Sequence, residues 1–237
     1  EFYRMVGHWG VRSYYFPGMI SVCLYIWIGH NNLDLALWVL TFSICLTVLW
    51  KRLVRLKNLL FSLPNDKWTV KGEFLEVIYS VFGSLYMGWG MSLAIVIRQE
   101  NQGTEWLILA IVGTFATDTG SFGFGRLFGK TQMASYISPN KTWEGAVGGV
   151  ITGLVSVLML ANVFQLPLPS TILTIIFGVL VSVFAQIGDL IESFMKRKAQ
   201  LKDSGFLVPG HGGIMDRLDS VVLVLLLVYY FNLWVIN

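Results

Sequence analysis

Ile172-Leu-Thr-Ile-Ile-Phe-Gly-Val-Leu-Val-Ser-Val-Phe-Ala-Gln-Ile-Gly-Asp-Leu-Ile191 is a run of 20 residues that carries one charge, Asp189, near its end. About 20 mostly apolar residues make a helix long enough to cross the hydrocarbon core of a bilayer. Working outward, runs of the same kind lie at Tyr14–Gly29, Leu33–Trp50, Phe74–Ile97, Trp106–Thr117, Thr142–Phe164 and Val221–Ile236. Two are weaker: Trp106–Thr117 is short, and Tyr14–Gly29 contains Pro17 and Gly18. The expected fold is all-α, a polytopic transmembrane helical protein with about seven membrane segments.

Composition points the same way. Of the 237 residues, 55% are hydrophobic and 13% charged, and the mean hydropathy is +0.65. A water-soluble domain carries roughly 25% charged residues, so half that share cannot cover a surface facing water. The two cysteines, Cys23 and Cys45, lie inside apolar runs without CxxC spacing. They are read as buried free thiols, which leaves a disulfide framework or a zinc site unsupported. The first apolar stretch is interrupted by Pro17 and lacks a small-residue cleavage site, so it is not read as a signal peptide. The sequence starts at Glu1 rather than methionine, and further N-terminal residues are expected before it.

Threading seven segments alternately places every one of the 17 basic residues except Arg98 on one side. Basic loops face the cytoplasm, which makes that side cytoplasmic. The basic stretch from Lys51 to Lys71 is read as part of this topology signal, lying against anionic headgroups. No internal repeat or linker divides the chain. A single integral membrane domain over 1–237 is expected, with an N-terminal membrane part, 1–105, and helices and loops that carry the polar motifs, 106–237. The spacing Gly145-x3-Gly149-x3-Gly153 predicts close helix packing.

Polar groups stand where lipid-facing helices exclude them in three places, all on the cytoplasmic side of the threading. The first is Thr117-Asp118-Thr119-Gly120-Ser121-Phe122-Gly123, directly after an apolar run. A carboxylate at that depth needs a cavity, a partner or a metal. Gly125 to Lys130 is not a phosphate-binding P-loop, because Phe124 stands where the first glycine belongs. The second is Ser138-Pro139-Asn140-Lys141-Thr142-Trp143-Glu144-Gly145. Pro139 fits a turn ahead of a helix whose free N–H groups favour an anion, with Lys141 and Thr142 adding a charge and a hydroxyl. The third and strongest runs from Gln186 to Asp219. On a helix, Asp189, Glu192, Ser193 and Lys196 share one stripe. Asp216 and Asp219 stand three apart at the start of the last helix. Two helices thus present carboxylate pairs to one cytoplasmic mouth. Hard oxygen donors with only 3 histidines in the chain suit Mg²⁺ rather than zinc, and glycine-rich backbone with basic residues between the helices suits a polyphosphate.

The stretch Ser193-x-Met195-Lys196-Arg197-x4-Lys202-Asp203-x-Gly205-x3-Pro209-x-His211-Gly212-Gly213-Ile214-x-Asp216-Arg217-Leu218-Asp219 resembles the signature of the CDP-diacylglycerol synthase (phosphatidate cytidylyltransferase) family. Asp118-Thr119-Gly120 and Ser138-Pro139-x-Lys141-Thr142-x-Glu144-Gly145 resemble its other two hallmarks, in the same order. The resemblance covers Gly113 to Ser220; Val208, Thr117 and Ser121 depart from the family pattern at uncharged positions. It implies a Mg²⁺-dependent nucleotidyltransferase, in an inner or plasma membrane, that makes CDP-diacylglycerol and pyrophosphate from CTP and phosphatidic acid. A second cation is compatible with it. Asp189 and Asp216 are then expected as metal ligands, with Asp118 and Asp219 next. Lys141, Ser193, Lys196, Arg197, Lys202 and Arg217 are the candidates for triphosphate and lipid phosphate. Gly212 and Gly213 would let backbone approach the phosphates, and His211 would either bind phosphate or protonate the leaving group. The partners implied are the two substrates and membrane lipids, not nucleic acid, and a homodimer is compatible with them. A CTP-using kinase of a lipid alcohol and a transporter are the rival readings; charges at one face without a repeat disfavour the transporter.

Overall fold

Helix formation follows the apolar runs and overshoots them where packing rewards it. A computed structural model gives the fold of residues 1–11, 13–31, 35–60, 70–205 and 212–236; His211 lies outside the described residues. The helices are α1 (Phe2–His8), α2 (Tyr15–Asn31), α3 (Ala36–Leu60), α4 (Val70–Gly83), α5 (Gly90–Gln99), α6 (Gly103–Phe128), α7 (Trp143–Val163), α8 (Thr171–Lys198) and α9 (Met215–Phe231). A π-helical turn, Ser84–Trp89, joins α4 to α5 without a break, because Gly83 and Gly90 keep helical backbone angles. A second π-helical stretch, Asn232–Ile236, extends α9. Between α6 and α7 lies an antiparallel hairpin of β1 (Gln132–Ala134) and β2 (Ser138–Thr142), the only strands among the described residues.

Among the described residues, six helical spans are long and apolar enough to cross a bilayer, against the expected count of about seven. The one that drops out is α2, whose 17 residues give about 25 Å of rise against a hydrocarbon core of roughly 30 Å. Its ends still track a neighbouring span. Tyr14 just before it donates its N–H to Ser80 Oγ, and His30 near its end meets Gln99. The run expected to be short, Trp106–Thr117, is instead part of a 26-residue helix. Asp118-Thr119-Gly120 therefore lies inside α6 rather than beyond it.

Close packing explains that extension. α6 and α7 form the most extensive helix pair, and their seam is built from missing side chains. A Cβ at Gly145 would meet Ser121 O and Gly125 Cα, one at Gly149 would strike Ser121 Oγ, and one at Gly153 would strike Thr117 Oγ1 and Ser182 Oγ. The opposite face of α7 carries Val147, Ile151, Val155, Met159 and Val163, all exposed and four residues apart. A continuous apolar stripe of that kind is costly in water and favourable in lipid. The chain is an integral membrane protein. Cys23 and Cys45 are free but exposed on such outer faces, not buried; a thiol is apolar enough to face lipid.

The main core lies between α5, α6, α7, α8 and α9 and includes Trp106, Leu109, Phe177, Val181, Ala185, Val224 and Val228. A separate cluster at one end joins α1 to α8 and α9 through Phe2, Met5, Val6, Met195, Ala199 and Met215. The basic residues collect at that end: Lys51 pairs with Glu76 at 2.9 Å, Lys198 stands 4.4 Å over the Trp9 ring, and Arg197 Nε donates to Ile137 O in the hairpin. Arg98 lies at the far end, one residue from the Gln99–His30 contact.

Candidate active site

At the basic end, α6, β2 and α8 converge on a cavity of about 260 Å³ lined by Asp118, Ser121, Lys141, Gly145, Gln186 and Asp189, among others. Each of the three sequence motifs supplies one charged group to it. The hairpin brings Lys141: β1 and β2 pair with Gln132 opposite Thr142 and Ala134 opposite Ser138. Pro139 is thus in a strand rather than the expected turn, as an edge position allows. Thr142 ends the strand and caps α7, its Oγ1 accepting from Gly145 N at 3.2 Å. That contact uses one of the helix-start donors expected to hold an anion. Glu144 closes the open end of the hairpin by accepting from Lys130 N and Thr131 N at 3.2 Å.

Lys141 Nζ lies 2.8 Å from Asp189 Oδ2, and nothing else among the described residues accepts a hydrogen bond from that buried ammonium. Ser193, one turn along α8, donates to Asp189 Oδ1 at 3.4 Å. Asp118 faces the charges of Asp189, Asp219 and Lys141. Ser121 Oγ is buried beside them with no hydrogen-bond partner among the described residues, in the space that Gly149 leaves by lacking a Cβ. Gln186 is fixed by donating to Ala146 O at 3.1 Å. The cavity therefore combines two carboxylates, one incompletely satisfied ammonium and one idle hydroxyl.

A second cluster lies alongside, between α8 and α9. Lys196 Nζ is 2.6 Å from Glu192 Oε2 and 2.9 Å from Asp216 Oδ1. Asp216 also accepts from Gly213 N at 2.7 Å and from Ser204 N at 3.0 Å. An ammonium and two amides occupy both Asp216 oxygens, so this carboxylate ties the start of α9 to the preceding segment. Gly212 and Gly213 serve the same wrapping. Gly212 has φ +85°, and a Cβ there would meet Asp216 Oδ2 at 2.8 Å; Gly213 lies against the same carboxylate through its N–H. Asp219, buried, accepts from Ser220 N at 2.7 Å and lies beside Glu192 and Asp189. Gly188 lets α9 come close there, since its Cβ would meet Asp219 O at 2.7 Å.

Of the residues singled out from sequence, Asp118, Lys141, Asp189 and Ser193 come together at the cavity, with Asp219 behind them. Lys196, Asp216, Gly212 and Gly213 form the neighbouring clamp. Arg197 is taken by the hairpin, while Lys202 and Arg217 are exposed outside the cavity lining. Glu192 stood in the sequence stripe, yet its 1% exposure marks it as an anchor of the clamp. Glu1 was missed altogether: its carboxylate reaches the start of α9, over 200 residues away, and no local pattern signals that.

Comparison with known proteins identifies the family. The model of the cytidylyltransferase family matches residues 1–235. Phosphatidate cytidylyltransferase from Bacillus subtilis is 40% identical over 158 residues, covering 66% of this chain and 58% of that protein. The Staphylococcus saprophyticus protein of the same name is 38% identical over 181 residues, covering 74% of this chain and 68% of the relative. That of Staphylococcus haemolyticus is 35% identical with the same coverage. The chain thus spans between 58% and 68% of the length of these relatives. With the match running almost end to end and the three charged motifs meeting at one cavity, the chain belongs to the cytidylyltransferase family.

Proposed function

We propose that this chain transfers a cytidylyl group from CTP to phosphatidic acid, forming CDP-diacylglycerol and pyrophosphate, with its site on the cytoplasmic face of the membrane. The observation that carries this reading is the meeting of Asp118, Lys141 and Asp189, from three separate motifs, at one cavity at the basic end. The relatives' name supplies the substrate, and the basic residues gathered at that end supply the orientation.

The chemistry asks little of a general base. The phosphate monoester of phosphatidic acid is largely dianionic at neutral pH, its second pKa being about 6. One of its oxygens attacks the α-phosphorus of CTP, the bond to the bridging oxygen breaks, and pyrophosphate leaves with that oxygen. The protein's task is to bring two anions together and hold the attacking and leaving oxygens in line. Lys141 has spare N–H donors for a phosphate oxygen, and Ser121 offers an unused hydroxyl.

The donor set also fits Mg²⁺. The groups facing one another are carboxylates, and Asp189 already holds a cation, the Lys141 ammonium. Among the described residues no three acidic, histidine or cysteine side chains stand close enough to enclose a metal. Mg²⁺ accepts one or two carboxylates with phosphate oxygens and water completing its shell. Asp189 and Asp118 are the ligands this geometry favours, with Asp219 behind them, whereas Asp216 is occupied by its clamp. When bound, Mg²⁺ would neutralise charge on the phosphates.

Pyrophosphate release from purified protein in mixed micelles tests the reading. Release should require CTP, phosphatidic acid and Mg²⁺ together. CDP formed from CTP and a lipid alcohol, without pyrophosphate, would refute it in favour of a kinase.

A further inference from the structure

The carboxylate of Glu1 performs a task that the reaction does not name. Its Oε2 accepts from Met215 N at 2.7 Å and from Ser204 Oγ at 3.3 Å, and its Oε1 accepts from Ile214 N at 3.1 Å. Met215 N and Ile214 N are N–H groups at the start of α9, which have no partner within their own helix. A distant acid therefore caps α9, at the helix end where negative charge is favoured. The fit is tight on both sides. A Cβ at Gly205 would lie 2.5 Å from Glu1 Oε1, and one at Gly213 would lie 2.6 Å from Glu1 Oε2.

Glu1 and Asp216 thus hold the same backbone from two sides. Asp216 takes Ser204 N and Gly213 N, while Glu1 takes the Ser204 hydroxyl and the next two amides after Gly213. Through Asp216 the hold passes to Lys196 and Glu192 on α8, three residues from Asp189. Apolar packing keeps Glu1 in place, with Phe2, Met5 and Val6 of α1 seated on Met195, Ala199 and Met215. Trp9 Nε1 adds a hydrogen bond to Met195 O at 3.3 Å.

We infer that Glu1 is a positioning residue for cytidylyl transfer. Helix α1 straps the basic end, and the Glu1 carboxylate ties Ser204 to Ile214 and Met215 at the start of α9, which holds α9 against Asp189. This inference rests on the functional reading above. The test uses the full-length protein in detergent, with Glu1→Ala and Glu1→Gln compared by peptide-level hydrogen exchange and by steady-state kinetics. In Glu1→Ala, exchange in peptides covering 203–205 and 212–216 should quicken by about tenfold, the scale of one lost charge-assisted hydrogen bond. Exchange within α6 and α7 should stay as in the parent. kcat should fall by a similar factor with KM for CTP nearly unchanged, and Glu1→Gln, which keeps one acceptor oxygen, should lie between. Unchanged exchange at 212–216, an equal rise along the whole chain, or quickened exchange with unaltered kcat would each overturn the inference. If the parent protein transfers no cytidylyl group, the functional reading fails by itself, and the exchange result still decides whether Glu1 holds this connection.

Discussion

Replacing Lys196 by methionine keeps most of the side-chain volume and removes the one cation between Glu192 and Asp216. The side chain of Lys196 is 18% exposed, that of Glu192 1% and that of Asp216 10%. Water therefore cannot take over the lost interaction. Breaking a buried ion pair by deleting one partner costs about 3–5 kcal/mol. Asp216 keeps two amide donors in the variant, so most of the penalty falls on Glu192, whose Oε1 has no hydrogen-bond partner among the described residues. For a chain of this size each kcal/mol shifts Tm by about 2–4 °C, so that cost corresponds to a drop of roughly 6–20 °C. Thermal unfolding in detergent measures it, and the double variant Lys196→Met with Glu192→Gln supplies the control. Removing both charges should recover at least about half of the loss, since a buried pair is worth little against neutral groups of similar size. A single variant within 2 °C (about 1 kcal/mol) of the parent, or a double variant no better than the single, would refute the assignment of this cluster as a clamp.

The α6–α7 seam makes a paired prediction. Gly153→Ala should destabilise by about 1–3 kcal/mol through overpacking against Thr117 and Ser182, whereas Gly123→Ala, whose Cβ meets nothing within 4 Å, should be neutral or stabilise by up to about 1 kcal/mol; the two melting curves decide it. Thr142→Ala removes the α7 cap and should cost about 1 kcal/mol, while Thr142→Ser should retain it. Lys141→Met should leave the fold intact and lower kcat/KM for CTP by at least about tenfold, as loss of a charged hydrogen bond to phosphate requires; an unchanged value would remove Lys141 from the site.

Much of this arrangement was legible in the residues themselves. The low charge content and the apolar runs announced membrane helices, and the three-and-four spacing of Asp189, Glu192, Ser193 and Lys196 placed them on one stripe of α8. The glycine spacing on α7 announced the close seam with α6. What was not legible depends on distance along the chain or on competition between partners. The count of spans turned on whether 17 residues of α2 reach across a bilayer, which composition cannot decide. The hairpin that carries Lys141 is too short for a strand pattern to register. A list of acidic residues also does not say which of them are already taken. Asp216 looked as available as Asp189 until Ser204 N, Gly213 N and Lys196 Nζ were found on its oxygens. Glu1 gave no warning, because its partners lie at the other end of the sequence.

The most direct test of the central claim follows the label of α-³²P-CTP into lipid with the parent protein, Asp189→Ala and Asp118→Ala, all shown to be folded in detergent. The parent should place label in a CDP-lipid only when phosphatidic acid and Mg²⁺ are both present. Asp189→Ala should lose the transfer by at least about 10²-fold, the scale for removing a group that stabilises charge in a transition state, and Asp118→Ala should also be impaired. Near-parental labelling by Asp189→Ala would contradict the account, because the cavity would then have lost the carboxylate on which it converges without losing its chemistry.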